Sequence, residues 1–576
     1  MSNMEITSKS EWEKLDWSKI ESKVSKLQKR IFRASRDEDY VKIGKLQKLL
    51  VNSTSARLLA TRRVSQDNKG KKTAGIDGVK SISSKQRIKL ALSISIDGES
   101  KAVRRVWIPK AGTNEKRGLG IPTMEDRAKQ ALLKLAIEPE WEARFEENSY
   151  GFRPGRSCHD ALSAIKTAIV FKPKYVLDAD IEKCFDKINH ERLIEKATRV
   201  SVFRKQIKAW LKAGVVTNDV FSRTESGTPQ GGVISPLLAN IALHGMEKAI
   251  SDRFQATKGR VIKGSKARYG YLVQKPKFVR YADDFVVLCE ELSVVEECKE
   301  LIQEWLSKWG LKLKDSKTKI VHTLKEYQGQ TPGFDFLGVN VRQYFRGKRH
   351  TNFCSNGNAR RQLECKTYLL PSKKSIMRHY EELSNTVKAN NGKEQVDLIN
   401  ALQRKITGWC NYYKPYNSKE TFTKLNHILW KRLLRWAVRR HRNKGRDWVV
   451  KKYWKTVGGR KWTFTDGEYT LVTHDKYRSG VYHVKVKGDK SPYDGDDEYW
   501  VKRLEKGLVR RDSQKSRLLK KQNGHCALCG KTFKHTDVLE KHHVVAKKDN
   551  GSNSDGNLEL LHLHCHDEIH RMRSCK

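Results

Sequence analysis

Two adjacent carboxylates at the tip of an apolar hairpin constrain this chain more than any other feature. Asp283 and Asp284 follow Tyr281-Ala282 and lie between two apolar arms, Phe278-Val279-Arg280 and Phe285-Val286-Val287-Leu288. Aromatic and β-branched runs around a tight break read as paired strands. Neighbouring negative charges held by apolar strands repel one another unless a cation or solvent offsets them. A pair of Mg²⁺ ions does so through hard oxygen ligands, and such a pair clamps both oxygens of an in-line phosphoryl displacement. An arbitrary Asp-Asp is more often a solvated turn. A second element counts against that here: the apolar run Tyr175-Val176-Leu177 ends in Asp178-Ala179-Asp180-Ile181-Glu182.

Charge narrows the substrate class. The 576 residues carry 116 Lys plus Arg against 66 Asp plus Glu, a net charge of +50. So basic a chain repels itself unless a polyanion neutralises it, and the common polyanion is nucleic acid. Disorder is a poor explanation, because 38% hydrophobic content with 14 Trp, 19 Tyr and 17 Phe can build cores. No run approaches the ~20 apolar residues of a membrane span, and the first residues lack the apolar stretch of a secretory signal. The expected location is therefore intracellular, with no membrane partner, and the 11 cysteines should be thiols or metal ligands. The length predicts roughly three to five domains.

Residues 12–50 read as helices, with one stripe through Ile20, Val24, Leu27 and Ile31 and another through Ile43, Leu46, Leu49 and Leu50. The breaker-rich stretch 66–78 ends this extension. From 79 to about 350, β-rich runs alternate with helices, which predicts an α/β or α+β catalytic core. Between 356 and 460 the chain becomes helical and strongly basic, with 25 Lys plus Arg against seven Asp plus Glu. A single-signed helical surface is the footprint of phosphate binding. Residues 461–500 read as irregular β structure, and a basic helical link leads to a terminus dense in Cys and His.

The carboxylate blocks resemble the palm of reverse transcriptases, and the resemblance covers most of the chain. It points to group II intron-encoded reverse transcriptase–maturases. The blocks stand in order: Arg105 to Lys110, Arg117 to Pro122, Ser149 to Gly155, the Asp180 block, Gly227 to Pro236, the Asp283 block, Gly310 to Lys319, and Phe336-Leu337-Gly338. The resemblance implies that Asp180, Asp283 and Asp284 form the catalytic triad for two Mg²⁺, with the Ile181 carbonyl as a further contact. It implies that Phe185 is the steric gate against a ribose 2′-hydroxyl, and that Lys110 and Arg117 hold the incoming triphosphate. Gln230 matches a nucleotide-pocket position, and Gly338 lies in a block like the primer grip.

Residues 356–460 resemble the thumb, or maturase region, of the same family, carried by Pro371-Ser372-Lys373 and Gly408-Trp409-Cys410-Asn411-Tyr412-Tyr413. There the resemblance implies a grip on the product duplex and binding of intron RNA. For Trp409, Tyr412 and Tyr413, core packing is the favoured use, and stacking on unpaired bases is the alternative.

At the terminus, Cys526-x-x-Cys529 and His562-x-x-Cys565 are spaced for a tetrahedral structural Zn²⁺. With His542-His543 and Asn557 between the pairs, the segment resembles an HNH endonuclease. That resemblance makes His543 the general base, has His542, His566 and His570 hold one divalent ion, and makes Asn557 orient the loop presenting His543. The family usually has Cys where this chain has His562, so His562 and His564 stand as alternatives for the fourth zinc ligand.

The expected fold is multidomain α+β. An N-terminal helical extension (1–78) precedes the fingers and palm of a right-hand polymerase (79–355) and an α-helical thumb (356–460). A small DNA-binding region with its linker (461–515) and a zinc-containing ββα-metal HNH module (516–576) follow. The implied function is RNA-directed DNA polymerase, splicing maturase and target-DNA endonuclease, supporting retrohoming by target-primed reverse transcription. Its partners are then group II intron RNA, target DNA and dNTPs. Related bacterial reverse transcriptases of retron, defence or diversity-generating systems normally lack both the thumb and the HNH tail. A decayed RNA-binding splicing factor would readily have lost one of Asp180, Asp283, Asp284 or His543.

Overall fold

The computed structural model describes residues 11–574 except 110–114, 218–219, 224, 228–229, 256–257, 264–265, 272–274, 347–352, 357–358, 364, 481–482, 512, 535–536 and 547–548. Its centre is a four-stranded antiparallel sheet in the order Lys319–His322, Tyr175–Asp180, Asp284–Cys289, Lys277–Tyr281. Side chains alternate across it with period two. Leu177, Ala179, Phe278, Phe285 and Val287 enter one core, while Val176, Val279, Val286, Leu288 and Val321 enter a second on the opposite face. Burial on both faces explains why these arms read as nearly continuous apolar runs, and each fully buried aliphatic or aromatic side chain contributes roughly 1.5–3 kcal/mol.

The first core joins the N-terminal helices to the sheet. Helices Trp17–Arg36, Tyr40–Asn52 and Thr54–Arg62 pack on the long helix Met124–Arg144. Ile20, Val24 and Ile31 are buried as expected, and Leu27 is half-buried. Its neighbour Gln28 takes an inner place because its amide donates to the Leu135 carbonyl (2.9 Å). Leu49, expected in the second stripe, is exposed, and Gln47 is buried instead, donating to Glu140 at 2.7 Å. In both cases a hydrogen bond to the neighbouring helix satisfies a polar group that periodicity alone would have left outside.

A second sheet, ordered Lys116–Ile121, Val103–Pro109, Val215–Thr217, Val220–Ser222, stands beside the central one. A third, of Phe334–Phe336, Val339–Phe345 and Cys365–Pro371, leads into helices Lys373–Ala389, Gln395–Tyr413 and Lys419–Arg440. The expected edge at 460/461 falls within the hairpin of Trp454–Val457 and Arg460–Phe464. The irregular β expected through 500 is otherwise a strap running back over the centre. Arg156 donates to the Gly488 carbonyl, Tyr493 to Glu138, and Trp500 to the Ser491 carbonyl. The last module has its own small core around Leu518, Phe533, Leu560 and Leu561, and it touches the N-terminal helices through Lys531 to the Ser18 carbonyl and Asp567 to Arg62. Among the described residues, no helix is long and apolar enough to cross a membrane.

Candidate active sites

Strand pairing brings the acidic blocks together. Asp180 ends its strand directly opposite Asp284, the first residue of the neighbouring strand, and Asp283 lies in the turn between. That turn needs a left-handed residue, and Ala282 supplies it with φ +58°. A non-glycine residue in this region is strained and persists only when its surroundings hold it. The hold is Arg280, which is fully buried. Its guanidinium donates to the Ala282 carbonyl (3.1 Å), to Asn240 Oδ1 (3.1 Å) and to Ser149 Oγ (2.7 Å). Asn240 in turn donates to the Gly151 carbonyl (2.7 Å). A Cβ on Gly151 would lie 2.3 Å from the Ala282 nitrogen, so the Ser149–Gly155 block packs against the carboxylate turn and only glycine fits there. Arg280 and Asn240 received no role from the sequence. The signal was present in Arg280, a charge inside an otherwise apolar arm.

The electrostatics follow from crowding. Burial, then Asp283 and Asp180, pushes the Asp284 carboxyl up to about 7. Burial raises Asp283 as well, while the charge of Arg117 opposes that rise. Burial lifts Asp178, one strand position pair behind Asp180, to about 6. Lys317 donates to Asp180 Oδ2 at 2.5 Å, and this bond holds its ammonium above the ordinary value although burial opposes the charge. Oxygen-only donors that repel one another and are partly shielded from water fit hard divalent cations.

Other expected residues surround this cluster. The Lys314 amide donates to the Asp180 carbonyl and the Glu182 amide to the Lys312 carbonyl, which latches buried Ile181 against the 312–314 segment. Phe185 lies on the short helix Cys184–Lys187, its ring edge-on to Phe152 at 6.5 Å. Arg117 pairs with Ile108 in the 103–121 hairpin. The carbonyl of Gln230 accepts from the Gly120 amide (2.6 Å), and a Cβ on Gly231 would meet the Gly120 carbonyl at 2.7 Å. The Gln230 turn and the Arg117 strand are therefore locked together. Lys110 lies outside the described residues. At Phe336-Leu337-Gly338, two consecutive left-handed residues make the turn, and the hydroxyls of Tyr412 and Tyr413 donate to the Leu337 and Gly338 carbonyls. Trp409 stacks on His379 (4.6 Å). Packing, the favoured expectation, is what all three rings do.

The terminal module separates its polar residues into two clusters. Cys526, Cys529, His562 and Cys565 place one ligand atom each within 4.8 Å of one another. His562 Nδ1 is 3.4 Å from Cys529 Sγ, while its Nε2 meets Asp537 (3.1 Å). Three sulfurs and an imidazole backed by a carboxylate are a fitting donor set for zinc. His564 stands outside that cluster, stacked on His562 and 3.5 Å from Glu21. The second cluster is His542, His566 and His570. His566 and His570, four apart on the helix Leu563–Ser574, share a face. In the hairpin of Leu539–His543 with Leu558–His562, His543 follows His542 and so projects to the other face. It meets Asn553 Oδ1 at 2.9 Å. Asn557 spans the loop between, accepting from the Val545 amide and donating to the Val545 and Ser552 carbonyls.

Comparison with known proteins identifies the families to which these segments belong. Residues 108–341 match the family profile of reverse transcriptase (RNA-dependent DNA polymerase), and 12–94 match the N-terminal domain of reverse transcriptase. Residues 376–454 match the group II intron maturase-specific domain, and 526–572 match HNH endonuclease. Over 347 residues the chain is 32% identical to protein YkfC of Escherichia coli, covering 55% of this chain and 87% of that protein. It is 27% identical over 551 residues to the group II intron-encoded protein LtrA of Lactococcus lactis, covering 84% and 87% respectively. A paired-carboxylate sheet, a basic helical segment and a Cys/His terminus together define a reverse transcriptase fused to a nuclease. More specifically, the chain belongs to the group II intron-encoded reverse transcriptase–maturases with a C-terminal HNH endonuclease domain.

Proposed function

We propose that this protein supports retrohoming of its intron. It would bind the intron RNA and assist its splicing, nick one strand of target DNA with the HNH module, and extend the freed 3′ end into cDNA from dNTPs. The observation that carries this reading is Asp180 in register with Asp284, with Asp283 at the adjoining turn. In this reading 79–355 are the fingers and palm of a right-hand polymerase and 356–460 its thumb. Residues 461–515 contact DNA, 516–576 form a ββα-metal nuclease, and 1–78 are the helical extension.

Asp180, Asp283, Asp284 and the Ile181 carbonyl would hold two Mg²⁺, which when bound supply positive charge at the attacking and leaving oxygens. Lys110 and Arg117 orient the triphosphate as fixed cations. Phe185 fills the space a 2′-hydroxyl would need, Gln230 borders the nucleotide, and the Gly338 turn presents the primer. In the nuclease, Cys526, Cys529, His562 and Cys565 would hold structural Zn²⁺, and His542, His566 and His570 one divalent ion. His543 takes the proton from the attacking water, with Asn557 fixing the loop beside it.

The test is Asp283→Ala assayed on an RNA template with a DNA primer. DNA synthesis is expected to fall by several orders of magnitude, since a lost ligand removes much of the charge stabilisation. Intron RNA binding and splicing assistance should persist. A folded Asp283→Ala protein that synthesises DNA normally overturns the reading.

A further inference from the structure

The hairpin at 454–464 contains an irregularity with a functional look. Val457 pairs with Arg460 and Lys455 with Thr463, so three residues on one strand face four on the other. The extra residue is accommodated at Trp462, whose φ is +62°. A bulge residue in this left-handed conformation is ordinarily glycine, because a side chain there is strained. Here the position carries the largest side chain, and 60% of it is exposed. Packing does not explain the choice, since most of the ring touches no core. Bulges re-aim side chains, and strain of this kind persists where it serves a site.

The surroundings indicate what the ring is aimed at. Trp430, on the helix Lys419–Arg440, lies edge-on to Trp462 at 6.3 Å. The two rings border a small cleft of about 40 Å³ whose polar rim includes Asn426, Lys476, Thr473 and Arg460, the last two bonded to the Asp475 carboxylate. The cleft is too small to enclose a base. The exposed face of Trp462, braced by a second aromatic ring and flanked by the Lys476 ammonium and the Asn426 amide, suits one unpaired nucleobase stacked on the ring with its phosphate near Lys476. Asn426 and Trp430 fall within the segment matched to the maturase-specific domain. Strand pairing in the 454–464 hairpin ties Trp462, at the very start of the 461–515 region read above as contacting DNA, to that segment, which favours RNA over DNA at this position.

We propose that Trp462, supported by Trp430, is a stacking platform for one unpaired base of a bound RNA. This rests on the reading that the chain binds intron RNA, and it adds a site to that reading. Trp462→Gly is the decisive variant, because glycine keeps the left-handed backbone while removing the ring. Binding is measured to a short uridine-rich single-stranded RNA, an RNA duplex and the matching DNA strand, over a range of salt. Single-strand RNA affinity should fall about ten- to a hundredfold with an unchanged salt slope, because the ring carries no charge. Duplex binding and melting temperature should not fall, and Trp462→Phe should restore most of the affinity. Unchanged RNA binding, an equal loss on duplex RNA, or a loss confined to DNA each overturns the site. Wild-type protein that binds no RNA overturns this site and the maturase reading together.

Discussion

The hydroxyl of Tyr413 donates to the carbonyl of Gly338 at 3.0 Å, across 75 residues of sequence. Tyr413 also bonds to Ser375, and the backbone amide of Ser372 reaches the same Gly338 carbonyl. The left-handed Leu337-Gly338 turn is thus gripped by two elements of the helical segment. A Cβ on Gly338 would lie 2.9 Å from that hydroxyl, which explains the glycine. Tyr413→Phe should keep the fold, since Gly338 retains the Ser372 bond, and should cost about 1 kcal/mol. Because the turn is proposed to present the primer, product length per binding event should fall more than RNA affinity does. Primer extension with a trap for released enzyme measures this, and unaltered product lengths would refute the link.

Phe185 is expected to set sugar selectivity. Its ring leans edge-on against Phe152 and packs from the side on the first core, so Phe185→Val removes volume at the proposed nucleotide position at a modest cost in packing. Ribonucleotide incorporation should rise by one or more orders of magnitude, with DNA synthesis largely retained. Single-nucleotide extension with competing dNTP and rNTP checks it; an unchanged ratio assigns the gate to another residue.

In the terminal module, His543→Ala and Cys526→Ser should both abolish target-strand cleavage for different reasons. His543 lies outside the Cys-containing cluster, so its variant should keep zinc, fold and polymerisation. Loss of Cys526 removes a buried ligand atom from that cluster. Structural zinc sites contribute on the order of 10 kcal/mol in small modules, so this variant should release metal and become protease-sensitive beyond about residue 520. Elemental analysis with limited proteolysis separates the two, and wild-type nicking by His543→Ala removes that residue from the role of base.

Acid should release the strap from the centre. Asp160 is buried, and burial alone would raise its pKa, yet hydrogen bonds from His483 and Ser157 and the charge of Arg503 hold it well below the usual carboxylate range. The folded value is depressed, so the stabilisation is fully present above the unfolded value near ~3.9. It is lost as pH falls through the folded value. Protease accessibility around 483–503 should therefore increase as pH drops below about 4. Asp160→Asn should show that accessibility already at neutral pH, at a cost of roughly 3 kcal/mol or more for stranding a largely buried Arg503. If the variant's strap is as protected as the wild type's at neutral pH, Asp160 does not anchor it.

The sequence by itself determined the central strands, the carboxylate turn, the helical stripes and the Cys and His spacings, because each depends on residues only a few positions apart. Burial on both faces of the strands through 175–180 and 277–289 leaves nearly continuous apolar runs, which read as strands from the sequence alone. Tertiary structure alone decided which partners meet. Of two histidines two residues apart, His562 ends a strand facing Cys526 and Cys529. His564 starts on the following helix and turns to Glu21. Gln28 is buried because Leu135 offers it a carbonyl, Arg280 because Ser149, Asn240 and Ala282 together satisfy it, and Asp160 because Arg503 lies 343 residues away. Periodicity is a local property of the backbone. The compensation of a buried charge or polar group is made by whatever packing brings near, and leaves no spacing to read.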